Sequence, residues 1–357
     1  MSGGETAQAD TMPVRAAYQF EPDRLATWLA AHIDGYKGPL SIAQFSGGQS
    51  NPTYKLMTPE RAYVLRRKPP GQLLKGAHAV EREAQVLTAL HAIGFPVPRV
   101  LGICLDEAVI GTWFYVMELV EGRIFWDATF PDVGREDRPA YFDAMNATIA
   151  RLHSIDYAAI GLAAFGRAGN YFARQIARWS KQYVEDVGAG RDPNMDYLVE
   201  WLPAQIPPED ETSLVHGDFR CDNMIFHPTK PQVLAVLDWE LSTLGHPLAD
   251  FTYHAMMYHM PPQIVAGLAE ANVAALNIPN EQNYVAAYCG RVGRASIPGY
   301  DFCLAFNFFR MAAIFHGIKC RVLRGTASSA NAKERAQSFP VLARLARDMA
   351  ERTTNII

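Results

Sequence analysis

The spacing of apolar positions changes character several times along this chain. Three short apolar runs, 40–46 (LSIAQFS), 53–57 (TYKLM) and 62–67 (AYVLRR), are separated by the turn-forming stretches GGQSNP and TPER. They predict three strands. The next segment, 77–94, spaces Val80, Ala84, Val86, Leu87 and Leu90 as on one side of a helix and stops at Gly94. Two further strand-like runs follow at 97–106 and 113–122. Strands around a single helix predict an antiparallel sheet with that helix packed on it. Beyond Gly122 the period becomes helical at 140–155, 170–187 and 195–206. It is interrupted by the runs SLVHG, NMIF and VLAVLD, and past Pro247 everything reads as helix. The expectation is an α+β chain with a loose tail at 1–15, a small sheet lobe at 16–120 and a larger, mainly helical lobe at 121–357.

Composition narrows the class. About half of the 357 residues are apolar (49%), enough for a sizeable core and more than one lobe. A net charge of −4 without a basic block argues against a nucleic-acid partner. Cys104, Cys221, Cys289, Cys303 and Cys320 show no paired spacing, which fits a reducing compartment better than a disulfide framework. The first dozen residues are small and polar, and no run reaches membrane-spanning length. These features lead to the expectation of a soluble, cytoplasmic protein with no membrane partner.

The candidate chemistry sits between two of the strand-like runs. LVHGDFRCDNMIF, residues 214–226, brackets His216, Asp218, Arg220, Asp222 and Asn223 between apolar flanks, and VLAVLDWE follows, ending at Asp238 and Glu240. The pattern H-G-D-x-x-x-x-N followed by an aspartate supplies three oxygen-bearing groups suited to phosphoryl transfer. Asp218 can orient an acceptor hydroxyl and take its proton; Asn223 and Asp238 offer one neutral and one charged oxygen to Mg2+. A polar hairpin with an Asx-turn is the plainer alternative. A zinc site through His216, Cys221 and His227 matches no usual ligand spacing.

The segments FSGGQSNPTYKL, YVLRRKPPG, EREAQVLTAL, MELVEGRIFWD, LVHGDFRCDNMIF and LDWELSTLGHPLADF span roughly residues 40–255. Together they resemble the aminoglycoside phosphotransferase-like kinase family, relatives of the protein kinases. Within it they are similar to the kinase-like domain found beside some acyl-CoA dehydrogenases. The resemblance implies a bilobal protein-kinase-like fold, ATP and Mg2+ as cofactors, and a small-molecule hydroxyl as acceptor. It implies a phosphate-covering loop at Gly47, Gly48, Gln49 and Ser50, and adenine held by the backbone of Glu118 and Val120. It also implies a phosphate-holding cation on the third strand. Arg66 stands where a lysine is usual, with Lys68 on the same face, Arg67 on the other, and Glu83 as the helix partner. Asp250 in HPLADF resembles a helix-start aspartate that supports the catalytic loop. Oligomeric state stays open.

Charge bears on the acceptor. Residues 291–324 carry Arg291, Arg294, Arg310, Lys319, Arg321 and Arg324 against Asp301 alone, and residues 170–183 carry Arg174, Arg178 and Lys181 without an acid. Such stretches suit an anionic or amphipathic acceptor better than a polycationic antibiotic. The family context implies a hydroxyacyl compound. An aminoglycoside kinase, and a nucleotide-binding regulator without catalysis, remain the alternatives. Arg310 lies in the apolar run FNFFRMAAIF, where an unpaired charge is costly. It calls for either a buried carboxylate partner or an anionic group of the substrate.

Overall fold

A computed structural model describes residues 11–46, 51–71, 78–326 and 332–354. Along the chain come β1 (Thr11–Met12), α1 (Pro22–His32), β2 (Ser41–Phe45), β3 (Thr53–Met57), β4 (Ala62–Arg67), α2 (Val80–Ala92), β5 (Val100–Cys104), α3 (Glu107–Ile110) and β6 (Phe114–Glu118). Next are α4 (Arg138–His153), α5 (Tyr171–Glu185), α6 (Pro193–Ala204), β7 (Ser213–Val215), β8 (Met224–Phe226), β9 (Val233–Val236) and β10 (Thr243–Gly245). The last helices are α7 (Pro247–Ala255), α8 (Glu281–Arg291), α9 (Tyr300–Leu323) and α10 (Ala332–Thr354). Among the described residues no helix is long and apolar enough to cross a membrane.

Two compact units result. The first takes the described residues up to Phe125 together with Ala158–Phe165 and Asp222–Ser242; the second takes the remainder. Its division is therefore discontinuous, where the sequence suggests one cut near 118–122. Side-chain and backbone bonds hold the two inserted segments. Arg123 and Phe226 exchange both backbone hydrogen bonds at 2.8 Å. Arg82 donates to the Phe165 carbonyl at 2.6 Å and lies 4.3 Å from the centre of its ring.

The first unit is built on a six-stranded antiparallel sheet of order β1-β2-β3-β4-β6-β5. Residues 11–15, expected as loose tail, join it: Thr11 and Met12 pair with Phe45 and Gln44, and the Arg15 N–H donates to the Gln44 side chain. β4 lies between β3 and β6, so both its edges are paired, and five of its six residues are buried. On one face Tyr54, Leu56, Tyr63, Leu65, Phe114 and Val116 pack with Leu25, Trp28 and Leu29 of α1. That helix, which the sequence reading passed over, starts at Pro22 and spaces its apolar residues three and four apart. α2 packs on β5 and β6, and its Val80, Val86, Leu87 and Leu90 are buried.

The second unit is mostly helical. α9 is nearly all buried, and α5, α6, α7 and α10 surround it. Phe172 of α5 meets Phe302 and Phe306 edge-on, and Asn307 donates to the Ala249 carbonyl and the Thr252 hydroxyl of α7. Two expectations are corrected here. Residues 259–280 form turns rather than helix, with Pro261, Pro262 and Pro279 breaking the ladder. In addition, β7 does not form a hairpin with β8: β7 pairs with β10 and β8 pairs with β9.

Gly122 lets the Arg123 segment approach β8. A Cβ there would stand 2.2 Å from the Phe226 carbonyl oxygen and 2.5 Å from an Ile225 methyl. Gly122→Ala is expected to lower stability by roughly 1–3 kcal/mol in urea unfolding, the usual cost of overpacking; an unchanged midpoint would mean that this approach is not a constraint.

Candidate active site

In the first unit a buried charged cluster forms around Arg66. Strand alternation sends Arg66 and Arg67 to opposite faces. Arg67 points to the α1 side, where its guanidinium lies 5.2 Å from the Phe20 ring centre and donates to the Ile110 carbonyl. Arg66 points to the α2 side and is 8% exposed. Its Nε lies 2.7 Å from Glu83 Oε2, and its Nη2 lies 2.6 Å from Asp238 Oδ1 and 3.7 Å from Glu240 Oε2. Burial opposes the Arg66 charge, but Glu83, then Asp238, more than offset it, so the guanidinium titrates above its usual range. Glu83 is fixed on both oxygens: Asn51 donates to Oε1 at 2.7 Å and Tyr115 to Oε2 at 3.2 Å. Burial raises the Glu83 carboxyl above the ordinary range, with Arg66 pulling it back. Lys68, the other cation considered, is engaged elsewhere, 2.9 Å from Glu81 and 4.0 Å from the centre of the Trp113 ring.

The β8–β9 hairpin brings Asn223 and Asp238 to one end of one ladder. Met224 pairs with Val236, and the Leu237 N–H donates to the Asn223 carbonyl at 2.8 Å. Asp238 follows directly with φ of 63°, a left-handed conformation that costs a non-glycine residue about 1 kcal/mol. Trp239 anchors the turn after it: its indole N–H donates to the Val236 carbonyl, and its ring meets Phe95 edge-on. Strained backbone held by buried neighbours is a mark of a functional position.

Glu118 ends β6. Its N–H donates to the Arg99 carbonyl and its side chain accepts from the Arg99 N–H, both at 3.0 Å. Among the described residues nothing accepts from the Val120 N–H. Gly47, Gly48, Gln49 and Ser50 lie outside the described residues.

In the second unit the loop after β7 carries Asp218. Asp250, near the start of α7, holds that loop: Oδ2 accepts from the His216 N–H at 2.8 Å and Oδ1 from the Gly217 N–H at 2.7 Å. His153 Nε2 lies 3.1 Å from Oδ2. Burial alone would raise the Asp250 carboxyl, but His153 and these backbone donors outweigh it and hold the group below its usual range. The Asp218 carboxylate meets the Tyr253 hydroxyl at 2.5 Å and Arg220 Nε at 2.9 Å. Of the two sequence expectations for Arg310, the buried carboxylate partner is not met among the described residues. Arg310 is 8% exposed. It donates instead to the Gly217 carbonyl at 2.8 Å and lies 5.3 Å from the Tyr253 ring centre.

The structure thus gathers Arg66, Glu83 and Asp238 with Glu240 in the first unit, and Asp218 with Arg310's two contacts in the second. Sequence reasoning missed Asn51, Tyr115, His153 and Tyr253. Only Tyr253 carried a usable hint, since it lies three residues after Asp250 and therefore on the same helix face.

A six-stranded antiparallel sheet with a buried arginine of β4 paired to a glutamate of α2, a loop carrying H-G-D and a following hairpin ending in aspartate are the marks of a kinase-like phosphotransferase fold. The chain belongs to the phosphotransferase enzyme family, whose model matches residues 41–287. It is 44% identical over 344 residues to acyl-CoA dehydrogenase family member 10 of Mus musculus, covering 96% of this chain and 32% of that protein. It is 43% identical over 353 residues to acyl-CoA dehydrogenase family member 11 of Gallus gallus, covering 96% and 45%. The chain thus spans about a third and under a half, respectively, of the length of these relatives. Among solved structures, a "putative aminoglycoside phosphotransferase" of Ralstonia eutropha JMP134 superposes with a TM-score of 0.85 at 48% identity, covering 94% of this chain and 99% of that one.

Asp250 contributes to stability in a pH-dependent way. Its folded-state value is depressed, so its contribution is complete above the unfolded value of 3.8 and is lost as pH falls through the folded value. Asp250→Ala is expected to cost roughly 3 kcal/mol at neutral pH by orphaning two buried N–H groups. It should also flatten the decline of stability below that value; an unchanged acid limb in urea titrations would contradict this role.

Proposed function

We propose that the protein is an ATP- and Mg2+-dependent phosphotransferase that moves the γ-phosphoryl group to a hydroxyl of a small hydroxyacyl compound. The observation that carries this reading is the Arg66 guanidinium held between Glu83 and Asp238. A structural ion pair needs one carboxylate. Here one cation faces three, and the excess negative charge sits on Asp238 and Glu240, the more exposed of them. That donor set suits a hard divalent cation, which takes carboxylate oxygens and completes its shell with water and phosphate. Asp238 and Asn223 would hold Mg2+, which when bound supplies charge neutralisation for the phosphates. Arg66, kept in place by Glu83, would contact the phosphates, and its planar fork serves the role usually given to lysine. The Glu118 carbonyl and the Val120 N–H, which has no acceptor among the described residues, would take the adenine edge.

In this reading Asp218 orients the acceptor hydroxyl. The acceptor oxygen forms a bond to the γ-phosphorus, the bond from that phosphorus to the β-phosphate bridging oxygen breaks, ADP leaves, and the hydroxyl proton passes to Asp218. The surroundings of Asp218 within its own unit favour an acceptor with an apolar arm. Arg220 and Tyr253, which contact Asp218, also line a small cavity of about 20 Å³ with Cys221, Met256, Met257 and Met260, room for one water-sized group unless the methionines repack. Thioether side chains adapt to flexible apolar chains, and a guanidinium suits an anionic or carbonyl-bearing group, whereas a polycation wants carboxylates.

The test is Mg2+-dependent ADP release in the presence of hydroxyacyl-CoAs, free hydroxy acids and aminoglycosides, each assayed separately. Turnover with the hydroxyacyl compounds is expected; turnover with aminoglycosides alone would overturn the acceptor assignment. Asp218→Asn should lower kcat by roughly 100- to 10,000-fold while nucleotide affinity is retained. Near-normal turnover in that variant would remove Asp218 from the mechanism.

A further inference from the structure

We propose that Tyr253 is a positioning residue for the Asp218 carboxylate, an inference that rests on the phosphotransferase reading above. Tyr253 and Asp250 stand three residues apart on α7 and so share one face of that helix. Both reach the same loop. Asp250 clamps its backbone through the His216 and Gly217 N–H groups. Tyr253 clamps its functional side chain, with the phenol donating to Asp218 Oδ1 at 2.5 Å. The helix therefore sets the loop and the carboxylate together.

The phenol is held as firmly as the loop is. Tyr253 is 8% exposed. The Arg310 guanidinium lies 5.3 Å from its ring centre and donates to the Gly217 carbonyl, so one buried cation ties the ring to the residue preceding Asp218. Burial raises the Tyr253 hydroxyl well above its usual range, then the Asp218 charge raises it further, so it stays a donor at every working pH. A second donor to the carboxylate, Arg220, differs in kind. Its Nε reaches Oδ1 at 2.9 Å and its Nη2 reaches Oδ2 at 3.3 Å, but its side chain is 26% exposed and lines the cavity. An acceptor hydroxyl can take the place of Arg220 on Oδ2 while Tyr253 keeps Oδ1, and with it the orientation of the carboxylate. A carboxylate free to rotate would lose that near-attack geometry.

Tyr253→Phe keeps the ring and removes only the O–H. With ATP and a hydroxyhexanoyl-CoA as the acceptor probe, kcat is expected to fall ~10–100-fold while KM for ATP stays within about twofold. A residue that merely fills the core would leave kcat unchanged or shift both constants with stability. A Tyr253→Phe variant with wild-type kcat would overturn the proposal. A second measurement does not depend on turnover. Urea midpoints for Tyr253→Phe, Asp218→Asn and the double variant form a cycle; non-additive shifts support the proposed bond, and additive shifts overturn it. If the wild-type chain releases no ADP with any acceptor, the phosphotransferase reading fails, and the unfolding cycle still decides whether Tyr253 holds the Asp218 side chain.

Discussion

The interaction on which the first unit depends is the burial of the Arg66 guanidinium against Glu83 and Asp238. Taking these charges out of water costs several kcal/mol per ion, and the cost is recovered only when the geometry is good and the remaining donors and acceptors are satisfied. Asn51 and Tyr115 provide that satisfaction for Glu83. Through these contacts one strand of the sheet, the first turn of α2 and the turn after β9 are set by a single side chain. Arginine is suited to this because its planar fork presents separate N–H edges to separate carboxylates, which a lysine ammonium does as a point charge without that directionality.

The second unit solves a comparable problem with the charge sign reversed. There the buried ion is the Asp250 carboxylate, and its partners are backbone N–H groups and a histidine rather than an arginine. A loop crowded with polar side chains would otherwise leave its own backbone unsatisfied at 216 and 217, where both residues lie deep in the unit. Anchoring the loop from a helix end places the fixed charge where the α7 macrodipole also favours an anion. In both units, then, a polar segment between apolar strands is held by one buried ion with several directed hydrogen bonds.

Much of this was legible in the chain. Period and turn residues located β2, β3, β4, β5, β6 and α2 to within a few positions, and alternation alone separated Arg66 from Arg67. Helix phase picked Glu83 over Glu81, because only one of them shares a face with Val80 and Leu87. Other features were hidden for physical reasons. β10 is three residues long, too short for a pattern, so SLVHG and NMIF looked like consecutive hairpin strands when each pairs elsewhere. Residues 259–280 are apolar enough to read as helix, yet prolines and tight turns decide otherwise. Arg310 was the most instructive: sequence counts side-chain charges, and its partner is a backbone carbonyl, which no composition reveals.

The same distinction governs how acceptor chemistry should be sought in chains of this fold. In the proposed reaction the groups held by the Arg66 cluster and the Asp218 loop would meet phosphate and hydroxyl groups common to every such transfer, so they carry no information about which acceptor is used. Selectivity has to reside in residues that border Asp218 without supporting it. In this chain the candidates are the methionines at 256, 257 and 260, which line one small cavity together with Arg220 and Tyr253. Methionine side chains repack around unbranched apolar groups at little cost, and a cation beside them would disfavour polycations by repulsion. An acceptor preference written in such residues can change without disturbing either buried ion, which is why shared fold and shared supporting charges are compatible with divergent substrates.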